Sequence, residues 1–188
     1  MPDGSGGAPA RCQLYLAAPA ILPADFAATL TAALDAASVA CLRLPALSDI
    51  AGLLALAQGR GTAVVLDGRP ELAARLGADG VHLADPAGYA AARRALGDQA
   101  IVGVHCGTSR HAAMEAGEAG ADYVAFAPDL ELVRWWAELM VVPAVAEIGD
   151  DIEQAEAFAA SGADFICPGE AIWRDPGGAL AAIARNLD

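Results

Sequence analysis

Residues 74–83 read ARLGADGVHL, residues 117–126 GEAGADYVAF and residues 159–168 AASGADFICP, so Gly-Ala-Asp recurs from Gly77, Gly120 and Gly162 at intervals of 43 and 42 residues. In each copy an Ala-rich run of helical character precedes the glycine, and a β-prone run follows it. Glycine tolerates the left-handed conformation that ends a helix, so each copy predicts a helix that stops there and a strand that starts at once. The interval is long enough for two successive β-strand and α-helix units.

Working outward from these copies, the pattern predicts strands over 13–17, 39–44, 63–66, 81–83, 101–104, 123–127, 144–147 and 165–167. Amphipathic, Ala/Leu-rich helices are predicted over 24–37, 49–58, 71–76, 88–96, 110–119, 130–139, 152–160 and 178–186. Asp25, Ser48, Ser109 and Asp151 precede helical runs as N-cap candidates. Short apolar strands alternating with helices imply parallel pairing and right-handed crossovers. The expected fold is therefore a single α/β domain, a (β/α)8 TIM barrel over residues 11–188. An open doubly wound sheet is the runner-up; no G-x-G-x-x-G follows the first strand, and the repeat continues evenly to the last strand.

The composition narrows the function. The 188 residues carry a net charge of −13, and all 11 basic residues are arginine. Nucleic acid is held mainly by basic side chains against phosphate, so it is not an expected partner. The absence of lysine removes Schiff-base chemistry and P-loop phosphate binding. Hydrophobic residues make up 56% of the chain but aromatics only 5%, with 48 alanines, so the positive mean hydropathy comes largely from small side chains. A chain of this length buries roughly 70% of its unfolded surface, enough for one sizeable core. No apolar run approaches the roughly 18 residues of a membrane span, and MPDGSGGAPA has neither a basic nor an apolar leader segment. Residues 1–10 are expected to be a disordered tail, the protein cytoplasmic and away from membranes, and self-association into a homo-oligomer is left open. Cys12, Cys41, Cys106 and Cys167 form no C-x-x-C pair and read as reduced, apolar strand residues.

In a barrel, function gathers at the C-terminal strand ends. Those ends carry Arg43, Asp67 with Arg69, Asp85, His105 with Cys106 and Thr108, Asp129, Glu147 with Gly149, and Gly169 with Glu170. Asp129, Asp150, Asp151 and Thr108 read equally well as caps or solvated loop residues. His82, inside the fourth strand, reads more readily as a hydrogen-bonded core histidine than as a catalyst. His111, in a first helical turn, reads as exposed.

The succession CLRL, VVLDGRPELA, LGADGVHLADP, IVGVHCGTS, GADYVAFAP, PAVAEIG and GADFICPGEAI resembles the family of thiamine phosphate synthase and its paralogue TenI, a thiazole tautomerase. The resemblance runs from about Gln13 to the end and implies a TIM barrel. It further implies a small-molecule ligand and Mg²⁺-dependent coupling of a pyrimidine pyrophosphate to a thiazole phosphate, with loss of pyrophosphate. The motifs carry over unevenly. Q-x-R-x-K becomes Cys41, Arg43 and Pro45. N-D-R becomes Asp67, Gly68 and Arg69, which places a metal-binding Asp on Gly68. In G-Q-x-D the Gln falls on Asp85 and the second metal-binding Asp on Ala87. The pyrophosphate-binding Ser falls on His105, and the P-T-x-T-K loop expected after Pro128 is missing. I-G-G becomes Glu147, Ile148 and Gly149, and the Ser of the last phosphate loop becomes Glu170. TenI's N-G-R-V-D matches Asp67-Gly68-Arg69-Pro70-Glu71, while its catalytic His falls on Gly107, two residues past His105.

The candidate site is then His105 as acid/base; Arg43, Asp67, Arg69, Cys106, Thr108, Gly149, Gly169 and Glu170 as ligand contacts; and Asp67, Asp85 and Glu147 as carboxylates able to hold a divalent ion. Arg43 and Arg69 neutralising that cluster is the alternative to a bound ion. The expected outcome on activity is little or no synthase turnover, with a TenI-like tautomerase or another small-molecule-binding barrel with an acidic mouth as alternatives.

Overall fold

Eight parallel strands pair in sequence order and close on themselves in the computed structural model, which describes residues 12–187. The strands are β1 (Gln13–Ala17), β2 (Val39–Leu44), β3 (Ala63–Asp67), β4 (Gly80–Leu83), β5 (Ile101–Gly107), β6 (Tyr123–Phe126), β7 (Ala144–Gly149) and β8 (Phe165–Pro168). Between and after them run α1 (Phe26–Ala36), α2 (Ala51–Gln58), α3 (Pro70–Leu76), α4 (Tyr89–Leu96), α5 (Arg110–Ala119), α6 (Leu130–Leu139), α7 (Ala155–Ala160) and α8 (Pro176–Leu187). β8 pairs with β1 through Gln13–Phe165 and Leu14–Ile166, so the TIM barrel holds and the open sheet does not. The expected tail over residues 1–10 lies outside the described residues. Among the described residues no helix is long and apolar enough to cross a membrane.

The Gly-Ala-Asp repeat explains how the strands are set. Gly77, Gly120 and Gly162 take φ values of 73°, 94° and 99°, which end α3, α5 and the segment after α7. Each aspartate then grips the strand before its own with two hydrogen bonds. The Asp79 N–H donates to the Val64 carbonyl at 2.8 Å, and Asp79 Oδ2 accepts the Val64 N–H at 2.7 Å. Asp122 does the same to Val102 at 3.0 and 2.7 Å, and Asp164 to Ala144 at 3.0 and 2.8 Å. A carboxylate accepting a backbone N–H makes a charge-assisted bond, roughly twice as strong as a neutral one. Three residues beyond each gripped position stand Asp67, His105 and Glu147. Side chains alternate along a strand, so a step of three turns from the outer face to the inner one.

Two apolar layers follow from that alternation. Val64, Val102, Ala144 and their like face the helices in the main core, together with Leu30, Trp136, Phe158 and Leu180. Tyr15, Cys41, Val65, Tyr123, Ala125, Val145 and Cys167 fill the barrel interior. Gly103 lies opposite Tyr123 in the β5–β6 register, and a Cβ there would overlap the tyrosine ring. At the top of β5 and β7 the register shifts between His105 and Gly107 and between Glu147 and Gly149, each bulge ending on a glycine with positive φ, 55° and 65°. The bulges make both strands longer than their apolar runs predict.

Helix caps divide by backbone geometry. Ser109 and Asp129 are extended, and their side chains accept from the N–H of Ala112 and Leu132. Asp151 accepts from Glu153 at the head of a 3-10 turn. Asp25, at φ −98° and ψ 13°, makes no side-chain cap, because it lacks the extended conformation that brings the carboxylate over the first turn. Ser48 is also no cap: α2 is preceded by Ile50.

Replacing Asp164 by alanine leaves the N–H of fully buried Ala144 without its acceptor and is expected to cost about 1–3 kcal/mol of stability in urea unfolding. Asp164→Asn, which keeps an acceptor oxygen, is expected to cost less. Gly103→Ala is expected to destabilise by about 1–3 kcal/mol through overpacking against Tyr123, and Tyr123→Leu in the same chain should relieve part of it.

Candidate functional site

The C-terminal mouth of the barrel opens on a cavity of about 410 Å³ lined by Arg43, Asp67, Gly68, His82, Ala84, His105 and Glu147. Strands β2, β3, β4, β5 and β7 each contribute one ionisable side chain. Arg43 is the hub. Its Nη1 donates to Glu147 Oε1 and to His82 Nε2, both at 2.9 Å, and its Nε lies 3.5 Å from Asp67 Oδ1. Glu147 reaches with its other oxygen to His105 Nδ1 at 3.2 Å.

Because arginine only donates, His82 Nε2 must be an acceptor, and its proton sits on Nδ1. That N–H donates to the Tyr123 hydroxyl at 2.9 Å, which leaves the Tyr123 proton to reach the Tyr15 oxygen at 2.8 Å. Burial first, and the Arg43 charge second, push the His82 pKa down to about 3, so the ring is neutral. Burial opposes ionisation of Glu147, but the His105 hydrogen bond and the Arg43 charge outweigh it and hold the pKa at about 2. The bond to Glu147 raises the His105 pKa, against partial burial and Arg43. Partial desolvation raises that of Asp67, Arg43 pulls it back, and Glu147 pushes it up again. The mouth thus holds two carboxylates around one guanidinium, beside one neutral and one readily protonated imidazole.

The other candidates lie elsewhere. Asp85 folds back to accept from the Ala87 N–H at the head of a 3-10 turn and does not line the cavity. Cys106, next in sequence to an inward residue, faces the helical layer, and burial lifts its pKa to about 12. Thr108, Arg69 and Glu170 are exposed. Gly149 closes the β7 bulge, and its carbonyl accepts from Gly169 at 2.7 Å. Asp150 bends over this turn and accepts from the Ala171 N–H at 3.0 Å; a Cβ on Gly169 would overlap its carboxylate. His82 is buried and hydrogen-bonded, the commoner of its two readings, yet it also forms a wall of the mouth. Tyr15 and Tyr123 were not among the sequence candidates. Gly103, a glycine inside an apolar strand, is the signal that could have led to Tyr123.

A Mg²⁺ ion usually takes one or two protein carboxylates and completes its octahedron with water and substrate phosphate oxygens. Asp67, Asp85 and Glu147 do not converge, since among the described residues the one group close enough to share an ion is His82, His105 and Glu147, with donor atoms within 4.8 Å of one another. That set has one carboxylate, and Arg43 already holds it together with His82 Nε2. Asp67, the other carboxylate of the cavity, is paired with Arg43 as well, so neither is free for a cation and the residues present do not fit Mg²⁺.

Millimolar Mg²⁺, Mn²⁺ or Zn²⁺ is therefore expected to leave the melting temperature unchanged. Arg43→Ala should make it rise with Zn²⁺, for which a two-histidine, one-carboxylate set is suited. Thermal melts against pH carry a second expectation. Glu147 contributes stability that is complete above its ordinary value of 4.5 and is lost as pH falls toward 2. Below pH 6.5 the unfolded chain also takes up a proton that buried His82 refuses until about pH 3. His105 acts oppositely: its contribution is full below pH 6.5 and fades as pH rises through its raised folded value. Asp67, with its raised value, favours folding as pH falls, but the larger shifts of His82 and Glu147 prevail, so stability should fall from pH 6.5 to 3, and Glu147→Gln should remove the more acidic part of that fall.

A family model described as thiamine monophosphate synthase matches residues 14–172. A thiamine-phosphate synthase of Rhodospirillum centenum is 46% identical over 196 residues, covering 92% of this chain and 95% of that protein. One of Hyphomonas neptunium is 35% identical, covering 92% and 91%. The solved thiamine phosphate pyrophosphorylase of Pyrococcus furiosus superposes with a TM-score of 0.82 over 95% of this chain and 96% of its own, at 22% identity, a likeness of fold. With the family model reaching from within β1 to beyond β8 and a relative this similar along nearly its whole length, the chain belongs to the thiamine monophosphate synthase family.

Proposed function

We propose that this family member binds a small molecule in the barrel mouth but carries little or no Mg²⁺-dependent thiamine phosphate synthesis. The observation behind this reading is the engagement of Arg43: the guanidinium that lines the cavity is already compensated by Glu147 and Asp67. A pyrophosphate leaving group develops strong negative charge, and its departure needs preorganised cations or a metal to receive it. Here the incoming charge would meet two carboxylates, in a chain without lysine. Anions at the β8 loop would also compete with Asp150, which already takes the Ala171 N–H.

A second reading, a TenI-like tautomerase, is favoured by one contact. His105, 37% exposed at the cavity wall and paired with Glu147 at 3.2 Å, has the geometry of an acid/base whose partner carboxylate stabilises its charged form.

Thiamine phosphate formation from the pyrimidine pyrophosphate and thiazole phosphate with Mg²⁺ is expected to run at least about a hundredfold below an ordinary synthase assayed alongside, the scale of losing one charge-stabilising group. A rate within tenfold overturns the proposal. Interconversion of thiazole tautomers, abolished by His105→Gln, would establish the second reading instead.

A further inference from the structure

We propose that Tyr15, Tyr123 and His82 form a buried positioning chain, whose task is to fix the orientation of Arg43 and so decide which of its edges faces the cavity. The proposal takes the mouth as the ligand site, as above, but its geometry stands without a ligand.

The chain crosses a barrel interior that is otherwise apolar. Tyr15, His82 and Tyr123 are 2%, 5% and 5% exposed, and their polar atoms are linked at 2.8 and 2.9 Å. The Tyr123 ring stacks on the imidazole at an interplanar angle of 18° and meets Tyr15 edge-on at 66°. Buried polar groups gain little for stability over apolar ones of equal size, because each must first be desolvated. This one is nevertheless fully satisfied, and at the mouth His82, itself part of the wall, ends it in a hydrogen bond from Arg43 Nη1 to Nε2.

The direction of every bond follows from that contact. Arg43, which only donates, requires the lone pair on His82 Nε2, and Tyr123 accepts the proton that this leaves on Nδ1. The opposite tautomer would set an N–H against an N–H. Nη1 then spends both hydrogens, one on His82 and one on Glu147, while Nε faces Asp67. Nη2 has no protein acceptor among the described residues, and no buried polar side-chain atom there is left unpartnered, so Nη2 is open to solvent and its two hydrogens are the edge that Arg43 offers to the cavity. Gly103 belongs to the device, since any side chain there would displace the Tyr123 ring.

Two ligand-free measurements test this. Nitrogen-15 NMR of the histidines at pH 7 should show His82 protonated on Nδ1 alone. The rate at which phenylglyoxal modifies Arg43, followed by mass spectrometry, should rise about tenfold in His82→Leu, the scale of one lost hydrogen bond to a charged group. It should stay within about threefold of the parent in His82→Gln, whose amide oxygen can replace Nε2 as acceptor. A His82 protonated on Nε2 in the parent overturns the proposal. So does an Arg43 rate that is the same in His82→Leu as in the parent while the melting temperature drops, since the chain would then serve packing alone. Failure of the synthase assay to behave as stated leaves both readouts unaffected, which separates the two proposals.

Discussion

An aspartate carboxylate bonded to a backbone N–H of the neighbouring strand, three times over, sets the geometry on which the rest of the barrel depends. A parallel sheet has no hairpin to fix its register, and apolar strands rich in Val and Ala can slide past one another with little change in burial. Asp79, Asp122 and Asp164 remove that freedom by gripping one named peptide each on β3, β5 and β7. The depth at which Asp67, His105 and Glu147 emerge is counted from those peptides. A one-residue slip would turn all three toward the helices.

Charge balance in the mouth is the second constraint, and Arg43 carries it. Burying a carboxylate such as Glu147 beside two imidazoles is costly unless a cation pairs with it. Arg43 meets that need, with Asp67 and His82 as its other partners. The acidic composition reaches into the mouth, where one guanidinium stands between two carboxylates. That inward use of arginine leaves less positive charge for an anionic ligand than membership of the family would suggest.

Much of the architecture was legible because short-range rules governed it. The Gly-Ala-Asp spacing located three strand starts, and Asp67, His105 and Glu147 were found as C-terminal strand ends; in the structure alternation turns all three to the inner face. The same alternation bears on Cys106, which follows an inward residue and so faces out. Asp85 and Asp129 ended as caps, since a local N–H two or three residues away competes effectively with a distant site. Tyr15 and Tyr123 stayed hidden because an inward aromatic in a strand has the same pattern whether its hydroxyl is bonded or not.

The sequence by itself determined the periodicity, the helix stops, the strand faces and the family, all of which rest on spacing along one chain and on side-chain type. Tertiary structure alone decided which charges meet. Arg43, His82, His105 and Glu147 are separated by tens of residues, and their contacts depend on the curvature and stagger of a closed sheet. Closure brings β2, β4, β5 and β7 to one rim, where differences of an ångström settle whether a carboxylate faces a guanidinium, an imidazole or a metal.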